Sequence, residues 1–408
     1  MPHTTRPHPS TEAPTTAPAT ALGVVLAPST LVPLIAVWLV VAASVIVGPG
    51  LLHDPIAPPV AAVSFVVILA AIVVAAFRVV HEAEHLARAL GEPFGTLILT
   101  LSIVIIEVIL IASVMLGPGE STTIARDSLF AVMMIIINGV LGAALLVGGL
   151  RHGPQRYNRE GTSQYLGMIV VFTLLALVLP NVTTSAPAGS FSDVQAVGVA
   201  VLAAAAYATF LGLQTTKNRE LFTQPSPTAA TMSEATSGAM SEATTGGTEN
   251  ESAAHPSRSI VITHSALLVV TVLPIVLLSH DLATLLDVGI ALLGAPATLS
   301  GVLIALIVFT PEAVTAIRAS LGNETQRTIN LGLGAFVSTV GLTLPAVLVI
   351  GLITGETVVL GESAANTVLI AATLALSIVT FTSKRTNALH GVAHLVLFGV
   401  FALLIFSP

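Results

Sequence analysis

Two carboxylates stand in segments that are otherwise apolar. Glu107 is centred in Leu99–Leu116, LTLSIVIIEVILIASVML, and Glu312 in Val302–Ala319, VLIALIVFTPEAVTAIRA. Each stretch approaches the length that crosses a bilayer, where a carboxylate costs at least a few kcal/mol and usually faces a polar cavity or an ion pathway. Two such acids brought together repel when both are ionised. The repulsion falls when they share a cation or when one of them holds a proton, so a converging pair could exchange protons for a metal ion. Hard oxygen ligands suit Ca²⁺. The chain has no Cys, and no His stands mid-span beside either acid, which argues against Zn²⁺ or Cu⁺. The plain alternative is that each Glu is a structural partner for another polar group in a helix bundle.

Further oxygen ligands are within reach of the same reading. Asn138, Ser338 and Thr339 are candidate site-lining residues. Asn side chains also join helices, and Ser and Thr often bond their own helix carbonyls. Pro311, next to Glu312, lacks a backbone N–H and releases carbonyls in the preceding turn. Gly91, Pro93 and Gly95 could loosen the start of the Glu107 segment. In VVHEAEHLARALGE, 79–92, His81, Glu84 and His85 lie within about one helical turn. They are candidate metal-binding or proton-sensing residues at a cytoplasmic mouth, or simply the polar end of a helix.

The elements that must position these groups are membrane helices. Of 408 residues 54% are apolar and only 9% charged, far below the charge content of soluble domains. Apolar runs of spanning length fall at 29–48, 59–80, 94–116, 127–150, 163–180, 192–213, 260–279, 297–318, 328–353, 364–381 and 388–406. Nothing alternates like a membrane barrel, so the fold class is an all-α polytopic membrane protein of about eleven transmembrane helices.

The bases set the orientation. With eleven spans, 13 of the 14 Lys and Arg fall on one side and Arg126 alone on the other. The positive-inside rule then places the N-terminus in the cytoplasm and the C-terminus outside. Residues 1–28, rich in Pro, Thr and Ala, read as a disordered cytoplasmic tail without the layout of a signal peptide. Residues 214–259, with the echo MSEAT at Met232 and Met240, read as a disordered, acidic cytoplasmic linker.

The linker divides the chain into halves. Beyond an extra helix at 29–48, a first repeat of five helices spans 59–213 and a second spans 260–406. An odd number of spans inverts the second repeat relative to the first, the arrangement that lets one central site face each side alternately. Glu107 and Glu312 each fall in the second helix of a repeat, after LGEPFGTLIL and LGAPATLSGVLI. Aligned from Arg126 and Arg327, which lead the following helices, Asn138 falls opposite Thr339.

These features point to a secondary active cation/proton antiporter with a central two-glutamate site. The expected partners are inorganic cations, protons and the lipid bilayer; no nucleic acid and no resident cofactor are expected. HEAEH, 81–85, has the letters of HExxH but lies at the polar end of a helix rather than in mid-span, and no GxSxG or nucleotide-binding motif occurs, so neither an intramembrane hydrolase nor an ATP-driven pump is expected. A cation channel and a non-transporting structural membrane protein are the alternatives.

The quoted segments also resemble a known family. HEAEHLARALGEPFGTLILTLSIVIIE (81–107), ARDSLFAVMMIIINGVLG (125–142), FTPEAVTAI (309–317) and QRTINLGLGAFVSTVGLTLPAV (326–347) are similar to the bacterial ChaA-type sodium-potassium/proton and calcium/proton antiporters of the calcium/cation antiporter superfamily. The resemblance implies two inverted five-helix repeats in the bacterial inner membrane. It implies that Glu107 and Glu312 bind cation and proton in turn, with Asn138, Ser338 and Thr339 lining the site. It further implies export of Ca²⁺, Na⁺ or K⁺ against incoming H⁺. One departure bears on the ion. Many calcium/proton exchangers of the superfamily carry GNxxE, whereas Ile103 and Val104 precede Glu107, and Val308 and Phe309 precede Glu312. With those amide oxygens missing, fewer Ca²⁺ ligands remain and monovalent transport gains weight.

Overall fold

The computed structural model describes residues 23, 26–53, 55–90, 94–117, 121–224 and 258–407. The expected tail falls mostly outside these residues, as do the central part of the linker and the pair Gly91 and Pro93. Among the described residues the fold has eleven apolar helices: α1 Pro28–Leu51, α2 Pro58–Leu90, α3 Phe94–Met115, α4 Ile124–His152, α5 Arg159–Asn181, α6 Asp193–Thr215, α7 Arg258–Leu293, α8 Thr298–Leu321, α9 Thr325–Thr354, α10 Ala364–Thr382 and α11 Ala388–Phe406; ten are long and apolar enough to cross a membrane, and α3 has the shorter apolar run Thr100–Met115. The protein is an all-α polytopic membrane protein.

Polar caps start several of these helices where the apolar run begins. The side chains of Asn158, Ser363 and Asn387 accept from the backbone N–H groups of the first turns of α5, α10 and α11. Gly355, at φ 77°, ends α9 in the left-handed conformation that glycine adopts without strain.

Two helices run well past their apolar stretches. α2 continues ten residues beyond Val80, through a segment of Ala, Glu, Leu and Arg that favours helix. α7 continues to Leu293. The polar run Ser279-His280-Asp281, where hydropathy alone ends the span, stays helical because its groups find partners. Ser113 Oγ donates to Ser279 Oγ at 2.7 Å, and Ser44 bonds Asp281.

The centre of the bundle is built from α4 and α9. Of their most apolar stretches, 72% and 56% of residues are buried, against 17% for α1 and α11, whose apolar faces are left for lipid. The packing repeats with the halves exchanged. α4 packs on α11 as α9 packs on α6, α8 packs on α4 as α3 packs on α9, and α2 and α7 pack on each other. This is the relation expected of two inverted repeats, with α2–α6 matched to α7–α11.

Candidate cation site

Glu107 sits at mid-α3 and is fully buried. Its Oε2 accepts a 3.0 Å hydrogen bond from Thr343 Oγ1 on α9, and Oε1 has no hydrogen-bond partner. Thr343 lies one turn beyond Thr339, whose hydroxyl is also buried and faces Glu107. The two hydroxyls therefore form a short polar stripe on a helix otherwise rich in apolar residues.

Glu312 differs in its access. Both carboxylate oxygens are buried without hydrogen-bond partners, but the residue lines a cavity of about 380 Å³. Glu84, Arg219, Arg327, Asn330 and Ser338 line the same cavity, which places its mouth on the base-rich face. Glu107 is not among the described lining residues. α8 runs as one helix through Pro311, which leaves the carbonyl of Ile307 without its usual N–H partner beside the acid.

Asn138 is held elsewhere. It lies in a π-helical segment of α4, Met134–Val140, a widened turn of a kind that is frequent at functional sites. Its Nδ2 donates to Thr373 Oγ1 on α10 at 2.8 Å, and its Oδ1 lies 2.9 Å from Nδ1 of His394 on α11. An amide oxygen only accepts, so His394 carries its proton on Nδ1, and Nε2 accepts from Thr380 Oγ1 at 3.2 Å. The amide is thus committed to the second repeat rather than to either Glu. Ser338 Oγ donates to the carbonyl of Ala335 in its own helix while its residue lines the cavity.

At the base-rich end of α2, His81 and His85 meet edge to face at 4.6 Å, and His85 stacks on His264 of α7 at 4.7 Å. The acid that joins this cluster is Glu82. It is buried, bonded by Arg78, and lies 2.6 Å from His264 Nδ1. Glu84 turns instead to the cavity with Glu312. Among the described residues no group of three or more His, Asp or Glu side chains converges as a metal centre.

Sequence reasoning missed Thr343, Thr373, His264 and His394. Thr343 was accessible as the residue one turn after Thr339. His394 carried a weaker signal, a lone His within the apolar run of α11. Thr373 and His264 become significant only when distant helices meet.

The sequence model of the family described as sodium/calcium exchanger protein matches residues 60–216 and 263–407. The sodium-potassium/proton antiporter ChaA of Escherichia coli (strain K12) is 34% identical over 341 residues, covering 83% of this chain and 87% of that protein. Among solved structures, native YfkE superposes with a TM-score of 0.67 at 18% identity, covering 92% of this chain and 100% of that one. The H⁺/Ca²⁺ exchanger CAX gives a TM-score of 0.64 at 16% identity, covering 91% and 87%. At those identities the structural matches speak for the fold.

Proposed function

The chain belongs to the sodium/calcium exchanger protein family, within the calcium/cation antiporter superfamily, and from that premise we propose how its residues move ions. It is a secondary active cation/proton antiporter of a bacterial membrane, a transport protein and not an enzyme. In the proposed mechanism Glu107 and Glu312 together form the exchange site and take cation and protons in turn. The base-rich face is cytoplasmic, which puts the N-terminus inside and the C-terminus outside.

One observation carries this reading: the two acids hold equivalent places in oppositely directed halves but differ in access. Glu312 lines the cavity of the base-rich face, while Glu107 is sealed against Thr343. A cation entering that cavity meets Glu312 first, and the hydroxyls of Thr339, Thr343 and Ser338 are its next oxygen ligands. Charge then decides the coupling. Two ionised carboxylates tolerate each other while a cation lies between them, and protons replace it when it leaves. Rocking of one repeat against the other would carry the loaded pair to the base-poor side. Asn138 takes part by setting the position of α4 against α10 and α11.

The cargo is Na⁺ or K⁺, Ca²⁺, or both classes. The named relatives include a sodium-potassium/proton antiporter and an H⁺/Ca²⁺ exchanger, and the missing amides beside both acids favour the monovalent ions. The test is cation-dependent proton movement in everted vesicles with Na⁺, K⁺ and Ca²⁺ supplied separately. Glu107→Gln and Glu312→Gln should each abolish it while the protein still inserts. Wild-type rates in either variant would sink the central-site reading, and cation flux without proton movement would mark a channel.

A further inference from the structure

The base-poor face holds a second ionisable site that the exchange mechanism above does not use. A cavity of about 330 Å³ lies there, lined by Arg126 and Asp127 of α4, Thr298 of α8, Asn366 of α10, Phe401 of α11 and Glu362 of the segment between α9 and α10. Asp127 and Glu362 are 5% and 4% exposed, so both acids are taken from water almost completely.

Their bonds are unequal. Arg126 Nε donates to Asp127 Oδ1 at 2.9 Å, and Thr123 Oγ1 donates to Asp127 Oδ2 at 3.0 Å, so both oxygens of that acid are engaged. Glu362 Oε2 accepts from Asn366 Nδ2 at 2.8 Å and from the Ser363 N–H at 3.2 Å. Glu362 Oε1 is buried with no hydrogen-bond partner, and Arg126 Nε stands off at 3.9 Å. Two acids against one guanidinium leave the trio one negative charge in excess. An ionised, buried carboxylate with a free lone pair beside a cavity is a proton acceptor.

We propose that Glu362 is a proton-binding residue of this cavity, taking a proton on Oε1 from hydronium and returning it to water, with Arg126 and Asp127 setting the charge it experiences. Protonation brings the trio to neutrality and frees Arg126 to serve Asp127 alone. The groups facing Glu362 agree with this assignment. Among the described residues, Arg126 and Asp127 are its only charged neighbours; α8, α10 and α11 present Thr298, Asn366 and apolar side chains. α5 contributes the Leu177 carbonyl, which accepts from the Glu362 N–H, and Asn181, which donates to the Glu362 carbonyl. Burial first of all, opposed by Asn366 and Arg126 and aided by Asp127, pushes the carboxyl up to about 7.

The site is wired to α4. Arg126 also reaches the Gly361 carbonyl at 3.4 Å, and the Val359 N–H donates to the Thr122 carbonyl at 2.9 Å. A change of charge on Glu362 therefore bears on the start of the helix that carries Asn138. In the proposed orientation this is the outer face, from which exchanged protons arrive. That link to transport rests on the antiport reading; proton binding itself does not.

The test is a pH titration of the full-length protein in lipid nanodiscs, read by infrared difference spectroscopy of the protonated carboxyl band. Glu362→Gln should remove one carboxyl component, which Glu107→Gln leaves in place. The neighbours supply a readout that a purely structural role would not move. Arg126→Gln should raise the midpoint of that component and Asp127→Asn should lower it, each by about one pH unit. A titration unchanged by Glu362→Gln, or neighbour variants that shift the midpoint in the same direction or not at all, would overturn the proposal. Wild-type vesicles without proton-coupled exchange would instead defeat the antiport mechanism while the infrared result stood.

Discussion

Thr343 on α9 donates a 3.0 Å hydrogen bond to Glu107 on α3, tying the central acid of the first repeat to a hydroxyl of the second. A hydrogen bond to a charged group contributes about 1.5–3 kcal/mol. Thr343→Val keeps the shape of the side chain and removes the oxygen. It should raise the cation concentration for half-maximal exchange by about tenfold or more, with Thr343→Ser close to wild type. Concentration dependence in proteoliposomes checks this, and an unchanged value in Thr343→Val would remove Thr343 from the cation's path.

The imidazole of His394 supports Asn138 from α11 while itself receiving Thr380. His394→Leu leaves the Asn138 oxygen buried without a donor, a loss of about 1–3 kcal/mol. Thermal unfolding in detergent should show the drop, and His394→Gln, which retains an N–H, should recover part of it. Equal stability of the two variants would count against the bond.

Glu82 is enclosed between Arg78 and His264 at the seam of α2 and α7. His264→Leu leaves Glu82 with Arg78 but takes the bond from its buried Oε2, a loss of about 1–3 kcal/mol. In a Glu82→Ala background, where that bond is already gone, His264→Leu should cost less. A double-mutant cycle on thermal stability measures the difference, and simple additivity would contradict the pairing.

Gly391 lies where α11 crosses α4, and a Cβ there would fall 2.6 Å from the Gly142 carbonyl and against the Leu146 backbone N. Backbone leaves no flexible side chain to yield. Gly391→Ala should lower the unfolding temperature, whereas Gly399→Ala, eight residues along the same helix in open space, should not. Equal effects at the two positions would argue against close packing at the crossing.

Glu362 gives the stability a pH dependence with a definite sign. Its carboxyl is raised from 4.5 to about 7 in the folded protein. Between those values the folded chain holds a proton that the unfolded chain has released, so stability falls as pH rises from about 4.5 through about 7. The slope is at most about 1.4 kcal/mol per pH unit for one group. Glu362→Gln should remove that component from the pH profile of thermal unfolding.

The helices were legible because lipid imposes a plain rule on each one: about twenty apolar residues and no unsatisfied backbone. The rule underestimated α7, since hydropathy penalises Ser279, His280 and Asp281 without knowing that Ser113 and Ser44 satisfy two of them. At the candidate site the two Glu were visible for the same reason, as costly exceptions to apolarity. Their partners were not. Thr343 and Thr373 are ordinary residues for a membrane helix, and their meaning depends on which distant helix they face. Glu82 shows the limit at close range: in HEAEH the acids at 82 and 84 look equivalent, yet they point to an ion pair and to a cavity respectively.

The exchanged packing of the two halves has a consequence for how the protein is made. Asn138 is synthesised long before Thr373 and His394, and Glu107 before Thr343. When the first five-helix unit enters the bilayer, its most polar groups face lipid or one another, with their permanent partners still on the ribosome. The polar contacts of the first half are therefore completed only after the second half has been made.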